Sequence, residues 1–458
     1  MKQQLANADR MGTEPIRKLL ISMSAPLCIS MLFSALYNVV DSIFVSRIGE
    51  QALAATSLAF PVQTLMTAFS LGMSVGMTTL ISRSLGEGSK KQAQEACYNG
   101  IFIALCGTAL FTLFGLFGAR AFFAAQTSNP TIIEYGTTYT SIICSFSIFA
   151  IFGVTFERVL QATGNTIYNM ISQSVGAIFN CIFDPILIFG LCGFPAMGIK
   201  GAAIATIAGQ LIGMIIALVL NVKKNQDVSV IWKKFRPRWE IIKEILSVGI
   251  PSFFMQAITS VTTYLMNLIL ISLSEAAVTL FGIYFRLQTF IALPMFGISN
   301  AMVPIIAYNY GAKDKIRITD TVKHAVLITT VIMACGTAIF CSSPTWLLKL
   351  FNAQGELLEL GRIALVILSL SFIFAGINTI IQSTYQALGN GMEALIISIL
   401  RQVVFILPTA YMFGKVFGKY YIWWAFPLAE LISIIVNLFM FKKINKEKIN
   451  ILDKVKCD

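Results

Sequence analysis

Charge is scarce in this chain. Asp, Glu, Lys and Arg make up 12% of its 458 residues, against about 25% in soluble domains, and the mean hydropathy is +0.77. A soluble globular domain is thereby excluded. Histidine occurs once, at His324, which leaves no HExxH sequence and no facing His and Asp residues for an integral membrane enzyme. The nine cysteines are odd in number and contain no CxxC pair, so neither a disulfide framework nor a zinc site is indicated, and no cofactor is expected. The alternating pattern of barrel strands is missing as well.

What the chain has instead is apolar blocks of helical-span length from end to end. Twelve spans are expected, at 17–46, 52–82, 95–118, 134–158, 165–190, 200–222, 241–271, 276–308, 322–348, 357–386, 391–414 and 421–442. The fold class is therefore an all-α integral membrane protein. The net charge of +12 raises nucleic acid as a partner, but the placement of Lys and Arg argues against it. Most of them fall in the N-terminal tail, the even-numbered loops and the C-terminal tail, which predicts both termini on the cytoplasmic side of the cell membrane. The largest basic cluster, Lys223 to Lys243, divides the chain near its middle. It reads as a topology determinant and linker touching anionic lipid, with an N-lobe at 1–222, a linker at 223–240 and a C-lobe at 241–458. The apolar run after the polar start is too long for a signal peptide and is expected to stay as the first span.

The two halves match without a gap at an offset of 225 residues. Pro26 falls on Pro251, Glu50 on Glu275, Gln63 on Gln288, Gly86 on Gly311 and Lys90 on Lys315, and QATGN at 161–165 falls on QALGN at 386–390. Each half holds six spans, an even number, so both have the same orientation. That predicts two six-helix lobes related by a pseudo-two-fold axis along the membrane normal, a transporter plan with substrate between halves that rock against each other.

Acids inside spans are rare, because a charge at the bilayer centre costs about 2.5 to 3.5 kcal/mol on insertion scales. Asp41 aligns with Met266 and Asp184 with Thr409, so these two carboxylates belong to the first half only. Tyr37 lies four residues before Asp41 and Asn180 four before Asp184, so each acid shares a helix face with a hydroxyl or an amide. Such oxygens suit a monovalent cation such as Na+, and a desolvated carboxylate suits a proton. The competing reading is that both acids cap helix ends or pair with buried arginines. Pro26 in the first span and Pro185 after Asp184 place kinks, either hinges or tolerated bends. Pro251 stands in the half without these acids, so part of the kink is architectural. Arg401 and Glu430 come to similar depth, as a neutralising pair or with Glu430 on a cationic substrate. Arg286 has no evident partner, and His324 reads as an interfacial residue.

The pattern resembles the multidrug and toxic compound extrusion (MATE) transporters over nearly the whole chain. The likeness rests on the two six-span halves, on SRSLGEGSKKQAQEA at 82–96 with its counterpart AYNYGAKDK at 307–315, and on the QATGN and QALGN segments. It implies antiport, with entry of H+ or Na+ driving export of organic, often cationic, compounds. It also implies that Asp41, Asp184, Asn180 and Tyr37 form the cation site of the prokaryotic branch with N-lobe acids, with Thr206 as the family's sixth-span threonine. Another branch has acids in the seventh and tenth spans. Residues 253–272 and 361–388 hold none, so no C-lobe ion site is transferred. The rival within the wider superfamily is a lipid-linked oligosaccharide flippase, which lines its cavity with several basic residues; Arg286 and Arg401 are few for that. The oligomeric state is not legible.

Overall fold

The computed structural model describes residues 7–231 and 235–452; the linker residues 232–234 and the tail residues 453–458 lie outside the described residues. Its long helices are α1 (Ile16–Ser46), α2 (Glu50–Gly86), α3 (Lys90–Ala124), α4 (Pro130–Ser145), α5 (Ser147–Ala162), α6 (Thr166–Phe189), α7 (Ile199–Lys224), α8 (Trp239–Ile271), α9 (Glu275–Gly311), α10 (Lys315–Ser342), α11 (Gly355–Ala387), α12 (Gly391–Phe417) and α13 (Ile422–Ile449). Among the described residues, eleven helices are long and apolar enough to cross a membrane by themselves, and α4 with α5, bent by 45° at their junction, make the twelfth span. The number matches the sequence expectation. The ninth span differs in its limits: α10 starts at Lys315, and the chain breaks before Pro344 into a separate short helix, Pro344–Lys349. Proline at the first helical position explains the restart, since it has no N–H to give to a preceding turn.

The helices are apolar on the outside. Leu110, Leu113, Phe117, Leu327 and Val331 are each more than half exposed. Exposed apolar surface of this kind is foreign to a water-soluble monomer and is what lipid covers.

The repeat recurs in the helix ends. α2 and α9 start and stop 225 positions apart, as do the starts of α3 and α10, the ends of α5 and α11, and the starts of α6 and α12. The cause is turn chemistry. Gly164 and Gly389 both sit at φ +79, and Gly88 at +76 matches Lys313 at +57, all in the left-handed region. After each, the chain closes the helix with a long-reach bond: Ser89 N–H donates to the Ser84 carbonyl (2.9 Å), Asp314 N–H to Asn309 (2.9 Å), Asn165 N–H to Leu160 (2.8 Å) and Asn390 N–H to Tyr385 (2.8 Å). These are Schellman-type stops. Ser89 and Asp314 then cap the next helix, accepting from Gln92 N–H at 3.4 Å and Arg317 N–H at 3.1 Å. The motifs that reveal the duplication are thus its inter-helix turns.

The chain forms two compact units. One gathers the described residues of Met1–Met11 and Ile29–Gly249, the other those of Gly12–Cys28 and Ile250–Asp458. This division differs from the 1–222 and 241–458 lobes by the first part of α1, which falls in the second unit, and by the linker and the start of α8, which fall in the first. A 31-residue helix is about 46 Å long at 1.5 Å per residue, long enough to pack one stretch in each unit. The first unit is centred on small alanines, Ala52, Ala55 and Ala59, against Phe111, Phe123 and Tyr139. The second is centred on larger rings, Phe281, Tyr284, Phe340, Phe372 and Trp423.

The described part of the linker is strapped to the first unit. Gln94 on α3 exchanges hydrogen bonds with both backbone groups of Ser229, and Tyr98 Oη donates to the Ile231 carbonyl at 2.6 Å. Asp227, 6% exposed, accepts from Ala8 N–H at 3.2 Å and stands 4.0 Å from Lys90 Nζ. Burial holds its carboxyl above the usual carboxylate range, against the opposing pull of the Ala8 N–H and Lys90.

Candidate ion-binding site

The first unit brings together the acids that the sequence places on two different spans. On α1, Asp41 follows Tyr37 by one turn; on α6, Asp184 follows Asn180 by one turn. Asp184 is fully buried and Asn180 is 3% exposed. The Asp41 and Asp184 carboxyls are close enough to interact with each other, and the Tyr37 ring lies within electrostatic reach of both. Asp41 Oδ1 is buried with no hydrogen-bond partner among the described residues, which leaves an acceptor available in the site.

Thr206 on α7 reaches the same cluster. With the Asn180 amide in one orientation, its nitrogen stands 3.4 Å from both Asp184 Oδ1 and Thr206 Oγ1. With the amide turned, the nitrogen donates to Asp184 Oδ2 at 3.2 Å and the oxygen accepts from Thr206 N–H at 3.2 Å. The second arrangement satisfies both ends of the amide. Each orientation links Asn180 to Asp184 and Thr206.

Glycines on two helices make this possible. A Cβ at Gly209 would stand 2.7 Å from the Gly176 carbonyl oxygen and 3.0 Å from Asn180 Cβ, and one at Gly176 would stand 2.8 Å from the Gly209 carbonyl. α6 and α7 touch backbone to backbone at this crossing, as small residues permit in membranes. Gly176, Asn180 and Asp184 follow one another at four-residue spacing, so the close approach continues directly into the site. Gly209→Ala is expected to force the helices apart, lower the melting temperature in detergent by the equivalent of about 1 to 3 kcal/mol of overpacking, and slow transport. Gly213→Ala, whose Cβ would meet the Ser172 carbonyl at 3.3 Å, is the mild control. Equal melting and transport for both would remove this account of how Thr206 is positioned.

Two further members were not legible in the sequence. Tyr139 on α4 is 4% exposed and interacts electrostatically with Asp41, Asp184 and Tyr37, while Gln63 Nε2 on α2 donates to its hydroxyl at 3.0 Å. Gln63 was hidden by its identity with Gln288, which made it look like shared scaffold. Tyr139 is one of 13 tyrosines and carries no distinguishing neighbour in sequence.

The second unit pairs its own intramembrane charges. Arg401 on α12 stands 3.7 Å from Glu430 Oε1 on α13, and Asn378 Nδ2 donates to Glu430 Oε2 at 2.8 Å. Arg286 is exposed on α9, and His324 Nδ1 is 2.8 Å from the Asp320 carbonyl one turn earlier on α10. Pro26 and Pro185 lie inside the continuous helices α1 and α6.

A duplicated bundle of six spans per repeat, with a buried acid pair in the first unit, defines a multi-pass membrane protein of the transporter type with two parallel repeats. The MatE family model matches it twice, at residues 26–186 and 251–412, once in each repeat, and the chain belongs to the MatE family. Among its relatives is the multidrug export protein MepA of Staphylococcus haemolyticus (strain JCSC1435), 28% identical over 93% of both chains. MepA of Staphylococcus aureus (strain MRSA252) is likewise 28% identical over 93% of both chains. Among solved structures, an outward-facing multidrug resistance MATE family transporter of the MOP superfamily superposes with a TM-score of 0.90 at 24% identity, covering 99% of this chain and 100% of the other. A MOP superfamily transporter from Pyrococcus furiosus gives 0.89 at 22% identity, with 99% and 100% covered. At these identities the structural likeness is one of fold.

Proposed function

We propose that this protein is a secondary active exporter of organic, often cationic, compounds, exchanging them for H+ or Na+ by alternating access in the cell membrane, with both termini cytoplasmic. The observation that carries the reading is the Asp41–Asp184 carboxyl pair in the first unit, with Asp184 fully buried and Tyr37, Asn180, Thr206 and Tyr139 beside it, Gln63 bonding to Tyr139. Two interacting carboxyls can share a proton, which suits H+ as the driving ion. The oxygens of Asp41, Asp184, Asn180 and Thr206 are hard ligands that suit Na+ equally in kind. The substrate class is supported by the multidrug export proteins to which the chain is similar.

In this reading the ion and the substrate each bind one conformation better than the other, and only that difference couples them. Loading the acid pair changes its charge from negative toward neutral inside hydrocarbon, where such a change is worth far more than in water. The division between the two units passes through α1 just after Pro26 and through α8 just before Pro251, which supports Pro26 as a hinge.

The test is ethidium accumulation in cells with and without the protein. Expression is expected to lower accumulation severalfold. That difference is expected to collapse with a protonophore if H+ drives export, or on replacing Na+ if Na+ does. Equal accumulation with and without the protein, for ethidium and a panel of lipophilic cations, would refute the exporter reading.

A further inference from the structure

Glu430, on α13 of the second unit, is a buried acid that the exporter reading leaves unused. It is 7% exposed, and its position aligns with Ala205 of the first repeat, next to the threonine that touches the first unit's acid site. The second repeat has lost the counterparts of Asp41 and Asp184, yet it keeps a carboxylate at this depth. Oε2 is held by the 2.8 Å bond from Asn378. Oε1 stands 3.7 Å from Arg401, beyond the about 2.7 to 2.9 Å of a charge-assisted hydrogen bond.

The surroundings are unsatisfied in the same direction. Among the described residues, Arg401 Nε is buried with no hydrogen-bond partner, and so is Ser433 Oγ, one turn on from Glu430 and 1% exposed. Behind Glu430 the contacts are complete: Asn437 Nδ2 donates to Asn378 Oδ1 at 3.1 Å, and Tyr385 Oη donates to Asn437 Oδ1 at 2.7 Å. α12 is wound as a π-helix from Leu400 to Ile406, and Arg401 sits in that widened turn, a backbone irregularity that clusters at functional sites. Desolvating two charges costs several kcal/mol per ion, and only close geometry with every lone pair and proton engaged offsets it. This pair lacks that geometry, so it is a poor structural clamp.

We propose that Glu430 is a second proton-carrying acid of the exchange cycle, with Arg401 as its displaceable counter-ion. A proton delivered by water bonds to Oε1, the guanidinium keeps its own protons, and the neutral carboxylic acid no longer holds Arg401. The pair passes from zero net charge to +1, and the reverse step returns the proton to water. The charged and titratable groups facing Glu430 are Arg401 from α12 and Tyr284 from α9, which feels its charge; Tyr385 from α11 is linked through Asn437. The inference rests on the exporter reading for its place in a cycle, but protonation itself can be tested without it.

The test uses the full chain in lipid nanodiscs, with Asp41→Asn and Asp184→Asn together silencing the first unit's acids. Infrared difference spectra between neutral and acidic buffer are expected to contain a carboxylic-acid carbonyl component that disappears on adding Glu430→Gln, while the contributions of the remaining acids, Asp227 among them, are unchanged. The amide still accepts from Asn378, so the fold is expected to persist. Should that variant not fold, Arg401→Gln serves instead, and the same band is expected to change frequency as its neighbour changes. Spectra unchanged by the substitution would overturn the proposal and make the pair a permanent one. Failure of the exporter reading would appear elsewhere, as ethidium accumulation that ignores the protein.

Discussion

Asp41→Asn is expected to reduce ethidium efflux by on the order of 100-fold without lowering the amount of protein in the membrane. The substitution keeps the size and most of the shape of the side chain but fixes it neutral. A site that drives a cycle must occupy two charge states, because the ion shifts the conformational balance only by its differential affinity for the two conformations. A factor of 100 corresponds to about 2.8 kcal/mol at 1.4 kcal/mol per decade, which is comparable to the about 2.5 to 3.5 kcal/mol that insertion scales assign to a charge at mid-bilayer. The same figure predicts that insertion becomes easier when the charge is removed. Intact-cell efflux, read beside the level of tagged protein in the membrane fraction, separates the two effects. Full export by the Asn variant would show that the charge of Asp41 is not part of the driving step.

Much of the scaffold could be read from the chain because its physical causes are local. Span number follows from apolar length, and the 225-residue register follows from turns that demand a left-handed residue, so the same letters return at Gly164 and Gly389 and at Asn165 and Asn390. Asp41 and Asp184 stood out for an equally local reason, since an acid in hydrocarbon is expensive wherever it sits. Their neutral partners had no such mark. Tyr139 and Gln63 join the site through the packing of α4 and α2 against the first unit's interior, and Thr206 joins it through the Gly176–Gly209 crossing. Whether a glycine marks a helix crossing or a lipid-facing gap is not written in its own position. The 3.7 Å approach of Arg401 to Glu430 was foreshadowed by equal depth, whereas the π-helical turn that presents Arg401 had no sequence signature. Neither did the division of α1 after Cys28, since composition does not change there.

The second large effect expected concerns linkage rather than rate. If proton and substrate favour opposite conformations, each must weaken the other's binding by the same factor, typically 5- to 150-fold for couplings of about 1 to 3 kcal/mol. Acidification is therefore expected to weaken ethidium binding to the purified protein, or added Na+ to weaken it where Na+ is the driving ion. Asp184→Asn is expected to flatten that dependence. Asp184 is fully buried, interacts with Asp41 and is tied to Asn180, so in the proposed cycle it would load and unload together with Asp41. With an amide in its place, Asp41 accepts a hydrogen bond that needs no proton, and the pair no longer has a loaded and an unloaded form of similar energy. Ethidium affinity measured by fluorescence across pH or Na+ concentration, in the wild type and in Asp184→Asn, reads the coupling directly. A variant that binds ethidium with the wild-type slope would place the coupling ion elsewhere, and Glu430 would then be the next acid to remove.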